Sequence, residues 1–149
     1  MKYHRITHAI SRIVIDKNQR LWVGTRGSGL NLFEPESKSF RHLTTKTKHA
    51  QITNDGINTL FEDSEGKIWI GTENGLNILS INGDRWDVVQ IQQQLTNKLS
   101  LSHNTVYAII ESDDKEVWVG TNGGGISVFD LSGNFKRTIK YAPNKADNY

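Results

Sequence analysis

Cysteine is absent from the 149 residues. Its absence excludes disulfides, thiolate zinc sites and cysteine nucleophiles, and leaves the redox compartment open. Proline is scarce, with two residues against 13 glycines, a balance that suits many turns without low complexity. No apolar run approaches the roughly 18 residues that a membrane-spanning helix requires. The opening stretch from Met1 to Ile10 has no apolar h-region, so no signal peptide is expected in it. A dominant sign of charge is missing too. Basic and acidic side chains number 18 and 16, a formal +2 that does not by itself point to nucleic acid or a membrane surface. What is present is the length of about one domain and 36% hydrophobic residues to build a core.

The chain repeats itself. Leu21-Trp22-Val23-Gly24-Thr25 recurs as Ile68-Trp69-Ile70-Gly71-Thr72 and as Val117-Trp118-Val119-Gly120-Thr121. The tryptophans are 47 and 49 residues apart, and twelve residues before each stands Ile10, Ile57 or Val106. Each repeat reads as four short strands rich in β-branched and aromatic residues, with no helical periodicity. Strand one covers 10–15, 57–62 and 106–111. Polar turns follow at Asp16-Lys17-Asn18-Gln19, Asp63-Ser64-Glu65-Gly66 and Asp113-Asp114-Lys115. Strand two is the tryptophan phrase and strand three begins at Gly29, Gly75 or Gly125. Strand four covers 40–43, 86–91 and 135–141. The glutamine-rich stretch 90–98 is open between a short helical turn and a loop.

Four antiparallel strands every 40 to 50 residues are the signature of a propeller blade. The expected fold is therefore all-β, with three β-propeller-type four-stranded antiparallel blades over residues 1–149, divided near 6–51, 52–100 and 101–149. Three blades make a partial propeller, or half of a six-bladed ring formed by a dimer, because rings close with about 4–8 blades. A blade cannot bury both faces alone, so further blades or self-association are expected. Trp22, Trp69 and Trp118 are expected to be buried between blades, with Trp69 the costliest to remove because its blade has two neighbours. The glycine after each tryptophan is expected where chains approach closely.

Several chemistries are discounted. Gly24-Thr25-Arg26-Gly27-Ser28-Gly29 lacks the Lys-Ser/Thr of a P-loop and leads into a strand. Gly27-Ser28-Gly29 is not a nucleophile elbow. His4 and His8 are four apart, but metal use at that spacing needs a helix. Asp63-Ser64-Glu65-Gly66 lacks the alternating acids of a calcium loop. Arg41, His42 and the stretch from Lys46 to His49 are basic and read as a solvated outer face rather than an anion site. No catalytic residue, metal site or cofactor is expected.

The phrase from Ile57 to Asn77, INTLFEDSEGKIWIGTENGLN, resembles the two-component regulator propeller repeat, with Ile52-Thr53-Asn54-Asp55 and Leu101-Ser102-His103-Asn104 matching its polar link between repeats. The likeness covers nearly the whole chain. The first and third repeats depart from it at Asn18-Gln19-Arg20 and Lys115-Glu116, departures expected to affect only a turn. The resemblance implies part of a large, often seven-bladed propeller outside the bacterial inner membrane, in the periplasm or beyond, belonging to a sensor with a histidine kinase. It implies a non-catalytic module that senses a carbohydrate or another small polar ligand. No kinase histidine box, nucleotide-binding signature or receiver pattern is present in the sequence, and neither nucleic acid nor membrane insertion is expected of this segment. Two other readings compete: a protein-interaction or structural propeller, and an enzyme like the streptogramin lyases, which are propellers using histidine and magnesium.

If the chain binds a ligand, the loops sharing one end of the blades are the place. The turns between strands two and three supply Arg26, Glu73, Asn74 and Asn122, and the links into strand one supply Asn54, His103 and Asn104. Amide-rich loops suit sugars through hydrogen bonds, although the same residue types also serve as plain turn formers.

Overall fold

The computed structural model describes residues 6–140, which form twelve strands. The first sheet contains β1 (Ile10–Ile15), β2 (Leu21–Thr25), β3 (Leu30–Glu34) and β4 (Ser39–Leu43). The second contains β5 (Ile57–Glu62), β6 (Ile68–Thr72), β7 (Gly75–Asn82) and β8 (Arg85–Ile91). The third contains β9 (Val106–Glu111), β10 (Glu116–Thr121), β11 (Gly125–Asp130) and β12 (Phe135–Ile139). Each sheet is an antiparallel meander in sequence order. The first strands β1, β5 and β9 are neighbours, so they form the inner edge and β4, β8 and β12 the outer rim. The stretch 90–98 forms no helix; beyond β8 it is a loop closed by a bridge between Gln94 and Asn97. Tyr141, expected at the end of the last strand, and His4 lie outside the described residues.

The core is two inter-blade seams. In the first, Trp22, Leu30 and Leu43 of blade one pack against Ile57, Leu60 and Ile70 of blade two. In the second, Trp69 and Leu76 of blade two pack against Val106, Ile109 and Val119 of blade three. Trp22 and Trp69 thus lie on the face toward the following blade, whereas Trp86 packs back against Trp22 of the preceding one. Trp22 and Trp69 are both 0% exposed. Trp118 is only half-buried, because among the described residues no blade packs over it. The expectation that all three are buried holds for two, and Trp22 is sealed as fully as Trp69. The glycines obey the same logic. A Cβ on Gly24 would lie 2.7 Å from Cγ2 of Ile57, and one on Gly71 2.6 Å from Cγ1 of Val106. At Gly120 the nearest atom is Cβ of Ala108, at 3.4 Å.

A buried carboxylate holds each sealed indole. Asp16 accepts from Trp22 Nε1 at 2.8 Å, from the backbone N–H groups of Asn18 and Arg20 at 2.9 Å each, and from Arg20 Nε. Asp63 repeats this with Trp69 Nε1 at 2.8 Å and the N–H groups of Glu65 and Lys67. Burial alone would raise the Asp16 carboxyl, but the hydrogen bonds from Trp22 and Arg20 outweigh it and hold the group below its ordinary value. In blade three the residue six before the tryptophan is Ser112. Its Oγ accepts only the Glu116 N–H at 3.3 Å, and the buried Trp118 Nε1 has no partner. Ser112 is thus a further departure of the third repeat, beside Lys115-Glu116, and it leaves the indole without its acceptor. Blade three is tied elsewhere: Glu116 takes a bidentate pair from Arg137 at 2.9 and 2.8 Å and a third bond from Lys136 Nζ at 2.6 Å. Arg137, then Lys136, pulls the Glu116 carboxyl down to about 2.

Candidate functional site

The loop end of the blades is held by a ladder that repeats between neighbours. Thr53 N–H donates to Asn77 Oδ1 at 2.9 Å, and Asn77 Nδ2 donates to Thr53 Oγ1 at 3.0 Å. One seam further, Ser102 N–H donates to Ser127 Oγ at 3.0 Å. The threonine of each Gly-Thr pair joins in: Thr72 Oγ1 lies 3.1 Å from Thr53 Oγ1, and Thr121 Oγ1 3.2 Å from Ser102 Oγ. Each of these two links is therefore fastened to strands two and three of the blade it enters by short hydroxyl and amide bonds.

Three of the expected ligand residues are committed to loop geometry. Asn54 Oδ1 accepts the Gly56 N–H at 2.7 Å, and His103 Nδ1 accepts the Thr105 N–H at 3.1 Å, an equivalent pair. Asn104 Oδ1 accepts the Gln93 N–H at 2.6 Å. Asp55 does the same work one blade earlier, accepting from Thr45 N–H at 2.7 Å and Thr45 Oγ1 at 3.1 Å. Sequence reasoning passed over Asp55, although its place next to Asn54 matches that of Asn104 next to His103. It also passed over the contact between His8 Nδ1 and Ser28 Oγ, which joins the chain entering β1 to the first turn.

Arg26, Glu73 and Asn122 occupy one equivalent position. Their backbone N–H groups donate to the carbonyls of Ala9, Gly56 and Thr105 at 2.9, 3.1 and 2.9 Å. Their side chains are exposed and make no hydrogen bond among the described residues. Neighbouring members of the set are close: a Cβ on Gly56 would lie 3.1 Å from Glu73 Cγ and 3.8 Å from the Arg26 carbonyl. Thr105 Oγ1 then bonds the Glu73 carbonyl at 3.3 Å. Asn74 stands beside Glu73, exposed, its carbonyl held by Gln92 Nε2 at 2.9 Å. The result is an arc of guanidinium, carboxylate and amide groups carried on rigid turns. It can offer both donors and acceptors to a polar ligand. Among the described residues no three histidine, aspartate or glutamate side chains come together as a metal site.

The two-component regulator propeller profile matches residues 5–27, 51–74 and 100–123, one match per blade. The chain is a run of two-component regulator propeller repeats. A curated relative, Histidine kinase P4 of Formosa agariphila, is 31% identical over 110 residues, covering 73% of this chain and 8% of that protein. Two extracellular domains assigned to hybrid two component systems of B. thetaiotaomicron superpose with TM-scores of 0.67 and 0.63 at 22% and 23% identity. They are matched over 92% and 89% of this chain and 19% and 15% of theirs. Virginiamycin B lyase from Staphylococcus aureus gives 0.65 at 14% identity, over 95% of this chain and 45% of the lyase. These superpositions establish a propeller-type, all-β fold. The repeats thus span a small share of the relatives they match.

Proposed function

We propose that these repeats are the non-catalytic, extracytoplasmic sensing part of a bacterial two-component system and take a polar ligand such as an oligosaccharide at their loop end. The arc of Arg26, Glu73 and Asn122 carries this reading. Equivalent turns present three chemically different exposed groups, while the neighbouring polar residues of the same loops are spent on structure. A set of donors and acceptors on rigid elements suits recognition of hydroxyl-rich molecules. The kinship with a histidine kinase and with extracellular domains of hybrid two component systems supports the class. No helix among the described residues is long and apolar enough to cross a membrane. We take residues 1–149 as one propeller-repeat domain, completed by further blades or by self-association.

A glycan array probed with the whole chain tests this. Binding to a defined set of saccharides, reduced about tenfold by Asn122→Ala or Glu73→Gln, is expected, as one or two hydrogen bonds to a charged or amide group are worth this much. Silence on the array, with a protein partner captured through the same loops, would move the module to the interaction class.

A further inference from the structure

We infer that a groove on the outer rim, between the first and second blades, receives the acid group of an acidic saccharide, a carboxylate or a sulfate. This rests on the saccharide reading above and adds a second contact site to it. The groove encloses about 580 Å³. Trp86, 6% exposed, and Ala50, 7% exposed, form its floor. Arg41 of β4 lies across the seam with its guanidinium 4.0 Å from the Trp86 ring, and its Nη2 donates to the Asp84 carbonyl at 3.1 Å. A guanidinium stacked on an indole is oriented in advance, and its edge is the one side-chain shape that meets a planar or tetrahedral oxyanion bidentately.

The charges in the groove favour that partner. Lys48 and His49 stand on the link above Arg41, both exposed, and Arg85 enters from β8. Two carboxylates, Asp84 and Asp87, also line it; Asp87 and Arg85 pair at 2.8 Å and offset each other, which leaves Arg41 and Lys48 against the one carboxylate of Asp84. The corresponding groove at the second seam differs. It is lined by Gln90, Gln92, Gln94 and Asn134 around Phe129 and Phe135, with no charged side chain. An adjoining hollow on the second seam carries Lys98 and Lys140 but no arginine and no tryptophan, so the guanidinium stacked on an indole belongs to the first seam rather than to the blade design. The basic residues of the first repeat are half of a site whose remainder, Arg85 and Trp86, comes from the second repeat.

The test is calorimetry on the whole chain with three probes of matched length: a galacturonate oligosaccharide, a sulfated oligosaccharide and a neutral glucose oligosaccharide. At least one acidic probe is expected to bind about tenfold or more tighter than the neutral one, the scale of one charge-assisted hydrogen bond; which acidic probe wins separates carboxylate from sulfate. Lys48→Glu, on an exposed loop where folding is safe, and Arg41→Gln should each abolish that preference, while Lys98→Glu, exposed at the second seam, leaves it in place. Equal binding of acidic and neutral probes, or a preference untouched by both groove substitutions, overturns the groove site and leaves the sensing reading standing. No binding of any saccharide overturns both.

Discussion

The seams between blades and the face beyond the third blade are made of the same sequence phrase in different surroundings. At both seams an indole is fully buried, its N–H is held by an aspartate, and the next glycine touches a side chain of the following blade. On the outer face of blade three the indole is half-buried, its N–H is unpartnered, Ser112 replaces the aspartate and Gly120 meets only Ala108 of its own blade. Ile110, 58% exposed, and Ala108 lie beside it. The lesson is that the tryptophan phrase is not stabilising by itself. It specifies half of a joint, and its energy is realised only when the first strands of a neighbour cover it.

The sharpest way to break this comparison is tryptophan removal. Trp22→Ala and Trp69→Ala should each cost about 3–5 kcal/mol, and Trp118→Ala distinctly less, read as urea midpoints. Equal losses at all three would mean that Trp118 is sealed in solution. Glycine comes next. Gly71→Ala should cost about 1–3 kcal/mol by overpacking against Val106, whereas Gly120→Ala should be close to neutral. The aspartate joint is of similar size: Asp63→Ala, which orphans a buried indole N–H, should cost about 1–3 kcal/mol, and Ser112→Asp should gain about 1 kcal/mol by supplying the missing acceptor. Thermal unfolding of the pair checks both signs.

Acid should sharpen the comparison from the other side. The folded Glu116 carboxyl sits at about 2, held there by Arg137 and Lys136, against about 4.3 when unfolded. Its contribution is therefore present above the unfolded value and lost as pH falls from about 4.3 toward 2. Asp16, also lowered, follows the same direction. Urea midpoints at pH 5 and pH 3 should fall, and Glu116→Gln should reduce that fall. The smallest effect on the single chain is expected from Ile110→Lys, within about 0.5 kcal/mol as for exposed sites. The same change should weaken concentration-dependent association in sedimentation, since this face is exposed and apolar, as is β1 with Ile10, Ile13 and Ile15. A chain monomeric throughout the micromolar range before substitution would refute the association.

Much of the fold was legible because its signals are local. The Trp-x-Gly-Thr phrase, its period and the Asp/Gly turns fix strands and sheets without knowledge of neighbours. The candidate site was legible only as a location. Asn54, His103 and Asn104 are the residue types of both a sugar site and a capped loop, and what assigned them to the loop was the backbone N–H beside each. Among the described residues Arg26, Glu73 and Asn122 are recruited through their backbone N–H groups, which leaves their side chains exposed. The rim groove was illegible for a further reason: Arg41 and Trp86 are 45 residues apart in sequence and meet only across a seam.

The placement of Trp22 and Trp69 on the face toward the following blade gives assembly a direction. During synthesis a finished blade emerges with its indole uncovered, and protection arrives only when β5 or β9 of the following repeat has left the ribosome. Because each blade contacts only its neighbours, such a chain behaves as a one-dimensional array. A lesion at one seam should then divide the molecule into an earlier segment that still matures and a later one that waits, a failure visible as a stable proteolytic fragment rather than as loss of the whole chain.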